Sequence, residues 1–128
     1  MPAPRTPRVL VVEDNIVNQK IAVKLLELLG CPCDVAASGP VCLEMHRRNP
    51  YGLIFLDIGM PGMDGYETLR RLREWEAESA TPPAAVVALT AFTHAEDRAR
   101  ALDAGMRDHL TKPLKREALK RILDAHLS

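Results

Sequence analysis

Four consecutive apolar residues, Leu53, Ile54, Phe55 and Leu56, run directly into one carboxylate, Asp57. The chain then breaks into glycine and proline through Ile58-Gly59-Met60-Pro61-Gly62-Met63-Asp64-Gly65. A short apolar run bounded by turn residues reads as a strand buried on both faces, as in a parallel sheet. Asp57 then stands at the carboxyl end of that strand, where open α/β sheets place their ligands and their chemistry. A carboxylate is costly to bury there alone, so a cation, a positive side chain or both are expected beside it.

The remaining segments supply more strands and the helices between them. Met1 to Pro7 carries three prolines and no periodicity, and reads as a loose tail or linker ahead of a domain spanning 8–128. Arg8 to Val12 is a second buried strand, ending in Glu13-Asp14-Asn15. Val17, Ile21, Leu25 and Leu28, with Ala22, Leu26 and Leu29 beside them, recur at helical spacing up to a stop at Gly30. Asp34 to Ala37 is a weak strand, and Ser38-Gly39-Pro40 opens a short helix carrying Val41, Leu43 and Met45. Asp64-Gly65-Tyr66-Glu67 is a capping box for a helix to about Trp75, with Leu69 and Leu72 inward and Ala77 to Thr81 as an exposed turn. Ala84 to Leu89 is the next buried strand, ending at Thr90. Thr93-His94-Ala95-Glu96 caps a helix that stops at Gly105. Met106 to Thr111 is a short strand before Lys112-Pro113, and Leu114 to Leu127 is a final amphipathic helix with Leu114, Ala118, Leu119, Ile122 and Leu123 inward. Five alternations of strand and helix imply a parallel sheet covered on both faces. The usual order for five such strands is 2-1-3-4-5, the doubly wound, flavodoxin-like (βα)5 fold.

Composition narrows the function. Seventeen basic residues balance 17 acidic ones, which argues against nucleic acid or an anionic membrane as a partner through bulk charge. The longest apolar run, Ala84 to Leu89, is far short of a membrane span or a signal-peptide core. Cys31, Cys33 and Cys42 have no Cys-x-x-Cys spacing and read as small buried hydrophobes in a reducing cytosol. His46, His94, His109 and His126 form no metal-binding pair by spacing.

In a parallel sheet the residues just past each strand share one edge. Strand 1 delivers Glu13 and Asp14, strand 3 Asp57, strand 4 Thr90 and strand 5 Lys112. Clustered carboxylates repel unless a hard cation lies between them, and an all-oxygen set of this kind suits Mg²⁺ with phosphate oxygen as a further ligand. Lys112 would bind a phosphoryl oxygen, or pair with Asp57 when none is present, and Thr90 would donate to another oxygen. These parts fit phosphoryl transfer to a carboxylate, with Asp57 as nucleophile and an aspartyl phosphate as product. Taken singly, each feature has an ordinary structural reading as a cap or a strand end. Their joint position on alternate units carries the argument.

The motifs Val11-Val12-Glu13-Asp14-Asn15, Leu56-Asp57 with Met60-Pro61-Gly62-Met63-Asp64-Gly65, Leu89-Thr90-Ala91 and Lys112-Pro113-Leu114 resemble the receiver domain of two-component response regulators, from about Arg8 to Leu127. The resemblance implies that Asp57 accepts a phosphoryl group from a phosphohistidine on a partner. It also implies that Glu13, Asp14 and the Gly59 backbone carbonyl help hold Mg²⁺. Thr90 and Lys112 would read the phosphoryl group, with Thr90 moving toward it as a switch. Such a domain catalyses its own phosphorylation and dephosphorylation but is not a turnover enzyme alone.

Two positions depart from the family pattern. His109 stands where Tyr or Phe is common as the switch partner of the threonine. Gly59, two residues past the acceptor, replaces a larger side chain and leaves the phosphoryl group open to water. The segment from Glu13 to Gln19 is similar to receivers attached to hybrid sensor histidine kinases. The implied partners are a histidine kinase and a histidine phosphotransfer domain, docking near the first helix and Asp57; the apolar residues of that helix read first as core. A cytoplasmic monomer or weak dimer is expected, tethered to a membrane sensor in a hybrid kinase or standing alone as a regulator. A haloacid-dehalogenase-type phosphatase is the enzyme rival, but Gly59 occupies the place of its second acid. A flavodoxin-like nucleotide site would need a phosphate loop where Glu13-Asp14 repel phosphate.

Overall fold

The computed structural model of the protein describes residues 9–91 and 95–126. The expectations for the Met1–Pro7 tail, Arg8, the Thr93-His94 half of a helix cap and Leu127 lie outside those residues. Strands β1 (Val9–Val12), β2 (Cys33–Ala36), β3 (Leu53–Asp57), β4 (Ala85–Thr90) and β5 (Asp108–Thr111) alternate with helices α1 (Ile16–Leu28), α2 (Gly39–Arg48), α3 (Gly65–Ser79), α4 (Ala95–Asp103) and α5 (Arg116–His126). All strand pairs are parallel, in the order β2-β1-β3-β4-β5, which is the (βα)5 fold expected from the alternation. No helix among the described residues is long and apolar enough to cross a membrane.

The central strands are buried on both faces, as their unbroken apolar runs require. Leu10, Val12, Ile54, Leu56, Val86 and Ala88 face one core layer with Cys42, Leu43, Leu69 and Leu72 from α2 and α3. Val9, Val11, Leu53, Phe55, Val87 and Leu89 face the other, with Ala22 and Leu26 of α1 and Leu119 and Ile122 of α5. Each fully buried large side chain contributes about 1.5–3 kcal/mol, and this two-sided layer fixes where every strand ends.

Local chemistry sets the helix boundaries. Asn15, Ser38 and Asp64 each accept a hydrogen bond from the backbone three residues on, capping α1, α2 and α3. Gly30 adopts φ +73°, the left-handed turn that stops α1. Gly65 is required by close approach: a Cβ there would lie 2.6 Å from Ile58 Cα and 2.9 Å from the Asp57 carbonyl oxygen.

Three local expectations need correction. α3 runs to Ser79, past Trp75 and through part of the expected turn, because Glu76 faces inward and its carbonyl still accepts from Thr81 N. α2 turns Cys42, Leu43 and His46 inward and leaves Val41 exposed. On α1 the core side is Ala22 and Leu26, while Ile16, Val17, Ile21 and Leu28 are exposed.

A polar network explains the first two corrections. The Tyr51 backbone N–H donates to His46 Nδ1 at 3.1 Å, so the proton of the neutral ring sits on Nε2, 3.0 Å from Glu76 Oε2. Glu76 also accepts from Ala84 N at 2.9 Å and from Arg73 Nη1 at 2.8 Å, and Arg73 donates to the Ala84 carbonyl as well. The network ties α2, α3 and the entry to β4 at the sheet end away from Asp57. Burial holds the His46 pKa below the ordinary imidazole value, against the pull of Glu76. Replacing Glu76 by alanine leaves three donors facing an apolar gap, and should cost about 3 kcal/mol in chemical denaturation. Because the unfolded chain takes up a proton that folded His46 refuses, stability should fall as pH drops below the ordinary imidazole value. His46→Gln should flatten that part of the stability–pH curve.

Candidate functional site

The carboxyl edge of the sheet brings together the residues singled out from the sequence. Glu13 follows β1, held by Glu13 N to Ala36 O at 3.0 Å and by the Gln19 side chain on its carbonyl at 2.7 Å. Asp57 is the last residue of β3, and Ile58 N donates to Leu89 O just beyond it. Thr90 ends β4, and its carbonyl accepts from Lys112 N at 2.8 Å, which pins the lysine beside β4. The Lys112-Pro113 peptide is cis.

Lys112 links the acids. Its Nζ lies 3.0 Å from Asp57 Oδ2 and 2.8 Å from Glu13 Oε1. Asp57 Oδ1 accepts from Gly59 N at 2.9 Å, and Glu13 Oε2 from Asn15 N at 3.1 Å. Glu13 and Asp57 are only 2% and 5% exposed, Thr90 is buried, and Asp14 is open to solvent. Burial pushes the Glu13 pKa up, with a smaller push from the Asp57 charge, and outweighs the lowering by Lys112 and the Asn15 N–H. Burial works against the Lys112 ammonium, yet Glu13 and Asp57 outweigh it and raise its pKa.

The donor set fits a hard divalent ion. Glu13, Asp14 and Asp57 each offer a carboxylate oxygen, all within 4.8 Å of one another, the oxygen-only chemistry that Mg²⁺ prefers. Glu13 Oε1 is buried without a hydrogen bond, since Lys112 approaches it as an ion pair off the line of a good one. A buried acceptor of this kind is unusual, and a cation beside it would satisfy it.

These groups line a cleft of about 520 Å³. Gly59 sits exposed on its wall, and a Cβ there would meet only Asp57 Oδ1, at 3.6 Å. His109 is not among the lining residues. It stands opposite Ala88 in the β4–β5 register, on the sheet face of Thr90 but one pleat back, with Nδ1 3.8 Å from Asp108 Oδ1. The lining also includes residues the sequence did not single out, among them Asn18, Tyr66 and Arg100. Tyr66 had a signal in its place just after the Asp64 cap, and Asn18 in the Glu13–Gln19 segment; Arg100 had none, because the cap of its helix says nothing of its later turns. Next to the cleft, Asn18, Ile21, Pro113 and Leu114 border a small apolar recess that reaches Glu13 and Lys112.

Comparison with known proteins agrees with this geometry. The family model described as the response regulator receiver domain matches residues 9–124. The chain is 41% identical over 119 residues to hybrid signal transduction histidine kinase L of Dictyostelium discoideum, covering 91% of this chain and 7% of that protein. It is 37% identical over 119 residues to the sensor histidine kinase GacS of Pseudomonas protegens, covering 93% of this chain and 13% of that protein. It thus spans a small fraction of the length of these relatives. Among solved structures it is similar to the receiver domain of sensor histidine kinase PA1611 from Pseudomonas aeruginosa, described with magnesium coordinated in its active-site cleft. That match has TM-score 0.80 and 37% identity, covering 95% of this chain and 98% of that one. It is also similar to a co-crystal structure of the Saccharomyces cerevisiae phosphotransfer protein Ypd1 with the receiver domain of Ssk1, at TM-score 0.85 and 30% identity, covering 96% and 91%. With acids, lysine and threonine gathered at one sheet edge and a family match over nearly its full length, the chain belongs to the response regulator receiver domains of two-component phosphorelay signalling.

Proposed function

We propose that Asp57 accepts the phosphoryl group, with Mg²⁺ held by Glu13, Asp14, Asp57 and the Gly59 carbonyl. The observation that carries this reading is Lys112 Nζ lying 3.0 Å from Asp57 Oδ2 and 2.8 Å from Glu13 Oε1 beside a three-carboxylate cluster. An Asp57 carboxylate oxygen attacks phosphorus as the P–N bond of a donor phosphohistidine breaks; the electron pair leaves with the imidazole nitrogen, which takes up a proton. When bound, Mg²⁺ neutralises charge on the phosphoryl oxygens. Lys112 exchanges its contact with Asp57 Oδ2 for a phosphoryl oxygen. Thr90 donates to another and so starts the switch, with His109, on the same sheet face, as the side chain that responds.

The donor is a histidine kinase or a histidine phosphotransfer domain. Ile16 and Val17, 64% and 61% exposed, with Ile21 and the recess beside Pro113 and Leu114, offer an apolar docking face next to the cleft. We further propose a receiver spanning 8–128 of a cytoplasmic, hybrid-kinase-type protein, behind a linker at 1–7 and without direct contact to nucleic acid or membrane, as a monomer or weak dimer.

Mass spectrometry after incubation with acetyl phosphate and Mg²⁺ should detect one labile phosphate. It should vanish in Asp57→Asn and on chelation of the metal. Asp14→Ala should weaken Mg²⁺ binding about tenfold or more, readable as a shift of the Mg²⁺ dependence of labelling. Labelling that persists in Asp57→Asn would overturn the assignment. Since a side chain at Gly59 meets no obstacle, Gly59→Asn and Gly59→Met should shield the phosphoryl group and lengthen the phospho-Asp57 lifetime. Identical decay across the series would remove that role for the glycine.

A further inference from the structure

Four acids, Glu13, Asp14, Asp57 and Asp64, line the cleft against two cations, Lys112 and Arg100. Lys112 is committed at the floor, between Glu13 and Asp57. Arg100 is an exposed lining residue, its Cζ 4.1 Å from the centroid of the Tyr66 ring. A guanidinium carbon this close over a ring is within cation–π range, and its charge is held there by the ring. Tyr66 is a firm platform. It packs against the α2–α3 core layer, follows the Asp64 cap, and follows Gly65, whose backbone abuts the Asp57 carbonyl. Of the described α4 side chains, Ala101 is the buried one. The stack therefore sets where the Arg100 charge stands relative to the end of β3.

We propose that Arg100, held by Tyr66, is the cation that binds and orients the anionic phosphodonor as it enters the cleft. This role rests on the reading of Asp57 as acceptor. A donor phosphoryl group enters a cleft lined by four carboxylates, and a guanidinium offers planar donors that match phosphate oxygens. Arg100 acts on entry; hydrolysis of the phosphorylated state depends on water reaching the floor of the cleft.

Phosphorylation of the chain by acetyl phosphate, followed against donor concentration with Mg²⁺ saturating, tests this. Arg100→Gln should lower the apparent second-order rate constant about tenfold, the low end for one charge-assisted contact, as its solvent exposure dictates. The decay rate of phospho-Asp57 after donor removal should not change. Arg100→Lys, which keeps the charge, should fall between Arg100→Gln and the parent chain, and Tyr66→Leu should slow entry while leaving decay intact. The difference between the parent chain and Arg100→Gln should shrink at high ionic strength, as attraction at an exposed rim must. Arg100→Gln matching the parent at every donor concentration would overturn the proposal and leave Asp57 as acceptor. Equal, salt-independent slowing by lysine and glutamine would reduce Arg100 to a structural prop and also overturn it. Absence of phosphate on Asp57 in the parent chain would overturn both readings.

Discussion

One ammonium between two buried carboxylates is the interaction on which the rest of the site depends. Glu13 and Asp57 stand at the ends of adjacent strands, almost removed from water, and would repel each other without compensation. Lys112 supplies that compensation from the end of β5, two strands from Asp57 and three from Glu13, reaching across the end of β4, to which its own backbone N–H is bonded. The compensation is incomplete: Glu13 still resists ionisation and its Oε1 lacks a hydrogen bond. A site left short of positive charge in this way favours whatever brings more, and a divalent ion at the open Asp14 side would do so.

The strain of gathering these charges is offset elsewhere in the same sheet. β1, β3 and β4 are buried on both faces, so their ends have little freedom to separate. At the opposite end of the sheet, His46, Glu76 and Arg73 fasten α2 to α3 through bonds that leave no polar atom of Glu76 without a partner. The two polar centres thus differ in kind. The one at the far end is closed and complete, as a structural network should be. The one at the carboxyl edge is open and undersupplied with positive charge, as a binding site should be.

The helices divide along a similar line. α1 and α5 share a core layer, yet α1 keeps Ile16, Val17 and Ile21 in solvent next to the cleft. Apolar side chains in that position carry an energetic cost only while nothing covers them. α4 buries Ala101 among its described side chains and places Arg100 over the Tyr66 ring. The face of α1 beside Asp57 is thus the more apolar border of the cleft.

The order of strands and helices was legible in the chain because apolar runs and periodic stripes are local signals, and parallel crossovers admit few arrangements. Glu13, Asp57, Thr90 and Lys112 were legible for the same reason: each sits where a buried run ends, and a parallel sheet gathers such ends at one edge. The exposure of Val17 and Ile21, the inward turn of Glu76 and His46, and the stacking of Arg100 on Tyr66 were not. A helical stripe shows that one side is apolar, but which residues meet the sheet depends on how the helix is rolled against it. A buried Glu looks like any surface Glu until its partners, 30 residues away at His46 and eight at Ala84, are brought to it. Spacing along the chain determined which residues share an edge; only packing in three dimensions decided which charges touch, because Coulomb attraction and burial act on distance in space.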